Sequence, residues 1–189
     1  MDYKTILTVV ASAVSIIVYV PYIKDIFLGK TKPHIFSWIM WGLLTGISFV
    51  AQIKEGAGFG SLTAGIASVL TLVVIILSIK RGEKNITKID WFCLSGALIG
   101  ILLWIITKNP LYSIILISII DTIAFIPTVR KSLKKPYEET LSVYIAYTFI
   151  WIIAIISFDQ ITVTTALYPA TLVLTNALFA ILLIVKRKS

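Results

Sequence analysis

Apolar residues fall into seven long blocks separated by short polar stretches. The blocks run from Thr5 to Ile23, Ile35 to Ile53, Gly58 to Ile79, Trp91 to Thr107, Leu111 to Val129, Leu141 to Phe158 and Ile161 to Val185. A bilayer core of about 30 Å takes roughly 20 residues of helix to cross, so each block has the length of a spanning helix. The fourth is the shortest. Strands of a membrane barrel would be about half as long and would alternate apolar with polar residues, a pattern this chain lacks. The pattern predicts an all-α integral membrane protein with seven transmembrane helices.

Charge in the polar spacers gives the orientation. Lys24, Lys30 and Lys32 fall on one side, with Lys80, Arg81, Lys84 and Lys88, then Arg130, Lys131, Lys134 and Lys135, then Lys186, Arg187 and Lys188. That is 14 of the 17 basic residues; Lys4, Lys54 and Lys108 fall on the other side. Basic loops stay in the cytoplasm, so the N-terminus is expected outside and the C-terminus inside. The first block continues past the length of a signal-peptide core and follows a weakly basic start, MDYK, so it is expected to be a retained helix.

Composition agrees. The chain is 58% hydrophobic and only 14% charged, where soluble domains carry about 25% charged residues. A net charge of +8 could suggest nucleic acid, but its clustering between apolar blocks is explained by orientation, and no nucleic-acid partner is expected. The single cysteine, Cys93, allows no intrachain disulfide or cysteine metal cluster. No His-Glu metal spacing, nucleophile–base pair or phosphate loop is present, so neither metal nor cofactor is expected, nor enzyme activity.

The chain also repeats itself. At an offset of 106, VSIIVYVPYIK (Val14 to Lys24) aligns with IDTIAFIPTVR (Ile120 to Arg130), placing Pro21 on Pro127, Tyr19 on Phe125 and Lys24 on Arg130. In the same register Trp38 meets Tyr144, Trp41 meets Tyr147, and LTLVVIILSIKR (Leu70 to Arg81) meets NALFAILLIVKR (Asn176 to Arg187). The prolines, aromatic pairs and closing Lys-Arg carry the match, because apolar identities are cheap in membrane proteins. The expected layout is two parallel three-helix repeats joined by a linker helix (3+1+3): residues 1–83, linker 84–108, and 109–189. Parallel repeats put a substrate site near the midplane between them.

In this layout, and in the proline near the basic end of the first and fifth helices, the chain resembles the SWEET and PQ-loop superfamily of small-solute transporters. The namesake Pro-Gln pair is replaced here by Pro21-Tyr22 and Pro127-Thr128. The resemblance implies alternating access, with Pro21 and Pro127 as hinges; the other reading is that each proline marks a helix end. It also singles out Asn176, since a seventh-helix asparagine contacts substrate in SWEET-like proteins. Asn176 aligns with Leu70, so it has no asparagine counterpart in the first repeat.

Other candidates come from the residues themselves. Trp38 and Trp41, and Tyr144, Tyr147 and Trp151, recur at spacings that share a helix face. Trp38 and Tyr144 lie near helix starts, where an interfacial aromatic belt accounts for them. Trp41, Tyr147 and Trp151 lie deeper and are candidates for a substrate pocket, where aromatic faces suit sugars, bases or cations. Thr164, Tyr168, Thr171 and Thr175 form a polar stripe answered by Ser68 and Thr71 on the third helix, which adds Thr175 and Ser68 as candidates. The pairs Gly42/Gly46 and Gly96/Gly100 are expected to serve helix packing, and His34 is expected at the interface.

Asp121 is the sharpest signal. A carboxylate in mid-membrane costs roughly 2.5–3.5 kcal/mol on insertion scales and commonly marks an ion, proton or substrate path. Its repeat partner is Ser15, so the carboxylate belongs to one half only. The leading expectation is an alternating-access, uniporter-like carrier of a small polar metabolite such as a sugar, in a prokaryotic plasma membrane. The lipid bilayer and a small-molecule substrate are the expected partners, with the protein a monomer or homo-oligomer. One alternative is proton-coupled transport of an amino acid or cationic metabolite through Asp121. The other, from a different class, is a membrane receptor or chaperone that binds without transport.

Overall fold

The computed structural model describes residues 2–107 and 110–188. Among these residues there are seven α-helices and no strand. They are α1 (Tyr3–Phe27), α2 (Ile35–Lys54), α3 (Leu62–Arg81), α4 (Lys88–Thr107), α5 (Pro110–Lys134), α6 (Leu141–Ser157) and α7 (Val163–Lys188). Five of them, α1, α2, α3, α5 and α7, are long and apolar enough to cross a membrane; α6 is an apolar helix of 17 residues. Lys108, one of the three basic residues expected on the outer side, lies outside the described residues.

Each apolar block contains a helix, but the ends differ for identifiable reasons. The shortest helix is α6 rather than the fourth. At the start of α4, Thr87 and Asp90 cap one another: Asp90 Oδ2 accepts from the Thr87 amide at 2.7 Å, and the Asp90 amide donates to Thr87 Oγ1 at 3.4 Å. This reciprocal box satisfies amides that a helix start leaves bare and extends α4 ahead of its apolar run. Thr162 and Thr165 make a similar exchange at the start of α7, at 2.9 and 3.2 Å. The third block opens with a short 3₁₀ turn, Gly58–Ser61, after Gly56 (φ 79°) and Gly58 (φ 61°) take left-handed backbone that side chains avoid.

The prolines do not end their helices. Beyond Pro21, α1 runs on to Phe27, and beyond Pro127, α5 runs on to Lys134. Both therefore sit inside helices, where a missing N–H permits a bend. Pro21 is exposed on the bundle surface and Pro127 is buried.

The helix contacts divide into two groups. Helix α3 contacts both α1 and α2, and α7 contacts both α5 and α6. The two groups meet through α1 against α6 and α2 against α5, while α4 lies chiefly on α5. Gly42 and Gly46 lie where α2 meets α3: an added Cβ would come within 3.2 Å of Thr71 and Ile75 at the first and of Ser68 at the second. Gly96, by contrast, has open space around the position of a Cβ.

The bundle is inside out relative to a soluble domain. Its surface exposes Ile17 (65%), Ile76 (67%), Ile106 (73%) and Leu178 (65%), whereas many buried residues are polar or aromatic. Apolar exposure spread over all the long helices is consistent with a multi-pass membrane protein.

Candidate functional site

Where the four central helices meet, a cavity of about 60 Å³ is lined largely by rings. Tyr19 of α1 and Trp38, Trp41 and Thr45 of α2 form one wall. Phe125 of α5 and Tyr144, Tyr147 and Trp151 of α6 form the other, while Ala67 and Thr71 of α3 and Leu172 and Asn176 of α7 lie behind. Four of the candidates, Trp41, Tyr147, Trp151 and Asn176, come together here, joined by the two aromatics assigned to the interfacial belt, Trp38 and Tyr144. Those two belong to the cavity because each packs inward, Trp38 against Trp41 at 5.3 Å and Tyr144 against Phe179 at 4.5 Å between ring centroids.

Two aromatic contacts cross from one helix group to the other. Tyr19 meets Tyr147 edge-on at 5.8 Å, and Trp41 meets Phe125 at 4.6 Å. The offset of 106 converts the first pair into the second, since Tyr19 aligns with Phe125 and Trp41 with Tyr147. Edge-to-face and tilted pairs of this kind are each worth about 0.5–1.5 kcal/mol beyond their burial.

The polar atoms are unevenly used. Asn176 Nδ2 donates to the Leu172 carbonyl at 2.7 Å, and Tyr19 Oη lies 3.3 Å from Thr71 Oγ1. The indole Nε1 atoms of Trp38 and Trp41 and the hydroxyl of Tyr147 are buried with no partner among the described residues. Thr175 and Ser68 lie elsewhere. The Thr175 hydroxyl is spent on the Thr171 carbonyl at 3.0 Å, and its side chain borders an outward groove between α5 and α7. Ser68 donates to the Gly42 carbonyl at 3.4 Å beside a groove between α2 and α3.

Asp121 is fully buried, one side chain behind the cavity wall. Its Oδ1 accepts from Tyr168 Oη at 3.1 Å, and Tyr168 Oη lies 3.4 Å from Thr45 Oγ1, which lines the cavity. Because Tyr168 gives its proton to Asp121, Thr45 is the donor of the next link. Asp121 Oδ2 has no partner among the described residues.

The basic end of the bundle is closed by a network that the sequence pattern did not reveal. Glu139, 1% exposed, pairs with Lys131 and accepts from Tyr144 at 2.9 Å and from Tyr22 at 3.3 Å. Tyr144 thus reaches from the cavity wall into this network. Lys131 also donates to the Lys32 carbonyl at 2.5 Å, and Lys32 pairs with Glu138 at 2.8 Å. Thr31 Oγ1 lies 2.6 Å from Thr140 Oγ1, which donates onward to Asp25 at 2.9 Å. These bonds join the α1–α2 loop to the α5–α6 loop. At the opposite end Lys4 of α1 donates to the Phe158 carbonyl beyond α6 at 2.8 Å.

His34 is fully buried, 3.3 Å from Asp90, whose same oxygen takes Arg130 at 2.7 Å. Burial holds the imidazole below its usual value against the pull of Asp90, and Arg130 and Lys131 push the same way as burial. Glu83 is held below the ordinary carboxylate range: burial would raise it, but the Asn85 amide and Lys135 outweigh that. The lone histidine gave no sign of this because Asp90 and Arg130 are far from it in sequence. Among the described residues no group of three or more His, Cys, Asp or Glu could hold a metal ion. No family model, curated protein or solved structure matches the chain.

Proposed function

We propose that the protein is a seven-span carrier of the 3+1+3 kind that resembles the SWEET and PQ-loop transporters, moving a small polar metabolite by alternating access. The N-terminus lies outside and the basic end faces the cytoplasm. The observation that carries this reading is the cavity between two aromatic contacts, Tyr19–Tyr147 and Trp41–Phe125, that the sequence repeat interchanges. A carrier needs such a site on the plane between two similar halves, so that rocking one against the other exposes it to either side.

The contacts between the halves support the same reading. Helix α1 meets α6 and α2 meets α5, which is one contact made twice by the repeat. The Glu139 network and the loop contacts around Thr31 and Thr140 act as the cytoplasmic closure; Lys4 on Phe158 belongs to the outer one. A sugar is the class that the resemblance implies.

A second reading, coupling to protons, is favoured by the chain Thr45–Tyr168–Asp121. With Asp121 ionised, the hydroxyls of Tyr168 and Thr45 both point their protons toward it. Protonated on Oδ1, Asp121 becomes the donor to Tyr168 and both links reverse, so that Thr45 accepts from Tyr168; protonated on Oδ2, it leaves both links as they are. Asp121→Asn keeps an acceptor for Tyr168 but cannot cycle.

Uptake of labelled sugars, amino acids and other small metabolites into proteoliposomes tests both readings. Saturable flux of at least one solute is expected, with loss on Asn176→Ala. Flux that responds to a pH gradient in the wild type and not in Asp121→Asn supports coupling; equal flux with and without the gradient removes it. Saturable binding without flux would replace the carrier by a receptor.

A further inference from the structure

Between α5 and α7 the outer surface of the bundle is cleft by a groove of about 420 Å³. Ile126, Val129 and Leu133 of α5 form one wall, and Leu178, Phe179 and Leu182 of α7 the other. At the deep end stand Thr122 and Thr175, whose hydroxyls donate to the Ser118 and Thr171 carbonyls of their own helices, each at 3.0 Å. The walls therefore offer little but hydrocarbon. Eleven helical steps separate Thr122 from Leu133, and eleven separate Thr175 from Lys186. At about 1.5 Å per step they cover about 16 Å, the depth of one leaflet of a core roughly 30 Å thick.

The mouth is basic. Arg130 lines it. Lys134 stands one turn beyond Arg130 on α5, and Lys186 one turn beyond Leu182 on α7, so helical spacing carries both lysines to the same end. Arg130 is balanced by Asp90, Lys131 by Glu139 and Lys135 by Glu83. Lys134 and Lys186 are exposed and have no acidic partner among the described residues. Apolar walls one leaflet deep, ending in two unbalanced ammonium groups, match the two parts of a charged lipid. We propose that the groove holds a single anionic glycerophospholipid of the leaflet at the basic end. One acyl chain lies between α5 and α7, and the phosphate sits at Lys134 and Lys186. Such a lipid would bind whether or not the aromatic cavity carries a solute.

In the first repeat the matching end is bridged. Arg81 reaches from α3 to α1, 4.9 Å over the Phe27 ring, and donates to the Phe27 carbonyl at 2.8 Å. At the offset of 106, Phe27 aligns with Leu133 and Arg81 with Arg187. Arg187 turns instead to the Pro136 and Glu139 carbonyls and leaves Leu133 on the groove wall. A second groove, between α2 and α3, has no charged residue in its lining. A second copy of the chain suits the α5–α7 groove less well than a lipid. Two copies inserted in the same orientation would bring Lys134 and Lys186 of both to one depth, where like charges repel.

Native mass spectrometry of the delipidated protein in neutral detergent, titrated with phosphatidylglycerol and phosphatidylcholine of matched chains, tests this. One phosphatidylglycerol is expected to stay bound, about tenfold more tightly than phosphatidylcholine. Leu178→Trp, which fills the groove from an exposed position, and Lys134→Gln/Lys186→Gln are each expected to weaken it by about tenfold. Ile126→Trp fills the same groove from α5 and replaces Leu178→Trp if that variant does not fold. Leu72→Trp, in the α2–α3 groove, and Lys24→Gln/Lys80→Gln, which removes the same charge from the other half, are expected to leave binding unchanged. Equal binding of the two lipids overturns the site, as does a preference that survives the groove-filling variants. Equal loss in Lys24→Gln/Lys80→Gln also overturns it, since the effect would then be one of overall charge. Displacement of the lipid by inorganic phosphate would give the cations to a free anion instead. A dimer that dissociates in Leu178→Trp, with no lipid retained, would give the groove to a second copy.

Discussion

Lys131 and Glu139 are 4% and 1% exposed, so the pair has left water almost completely. Such pairs are retained only where further hydrogen bonds complete them, and Glu139 has Tyr22 and Tyr144 for that purpose. Lys131→Met strands the carboxylate and is expected to cost about 3–5 kcal/mol in equilibrium unfolding. Adding Glu139→Leu removes the orphan charge and is expected to recover most of that loss; a double variant no better than the single one would mean the pair is not the unit of stability. Two residues bear on legibility at this scale. Asp121 stood out because a lone acid in an apolar block is costly wherever it faces. Glu139 did not, because an acid in a loop costs nothing until the fold buries it.

At the scale of elements, helices were legible and their junctions were not. Block lengths locate all seven helices, since apolar length alone sets them. The Thr87–Asp90 box that extends α4 needed the geometry, as did the burial of His34 at the start of α2 against α4 and α5. Asp90 faces Thr87, His34 and Arg130 together, so a local cap also ties three elements. The sign of its pH response follows from His34. A histidine whose folded value lies below its unfolded value binds more protons when unfolded, so stability is present above about 6.5 and is lost as pH falls below it. Glu83, held low, loses its contribution only at more acid pH. His34 is the only histidine in the chain. The melting temperature of the wild type is therefore expected to drop relative to that of His34→Gln as pH is lowered from about 7.5 to about 5.5; parallel curves would remove His34 as the cause.

For the whole molecule, the offset of 106 was the most informative feature of the sequence, and only part of the helix boundaries follow it: α1 and α5 match within one position, whereas α6 ends three positions and α7 starts five positions before the repeat of α2 and α3 would place them. Helix α2 starts at Ile35 and α6 at Leu141, and α3 ends at Arg81 one position short of matching α7 at Lys188. The cavity was half legible: Trp41, Tyr147, Trp151 and Asn176 came from depth and polarity. Trp38 and Tyr144 were hidden by their nearness to helix starts, while Thr175 and Ser68 share a helix with the site but turn away from it. Which side of a helix faces a neighbour depends on packing that an all-apolar surface does not encode. In the proposed carrier the loop contact between Thr31 and Thr140, 2.6 Å apart, must open for solute to pass. A Thr31→Cys/Thr140→Cys pair in a Cys93→Ala background, in proteoliposomes loaded with labelled solute, tests it most directly. Oxidation is expected to abolish flux and reduction to restore it; flux undiminished in protein shown to be cross-linked would contradict the account.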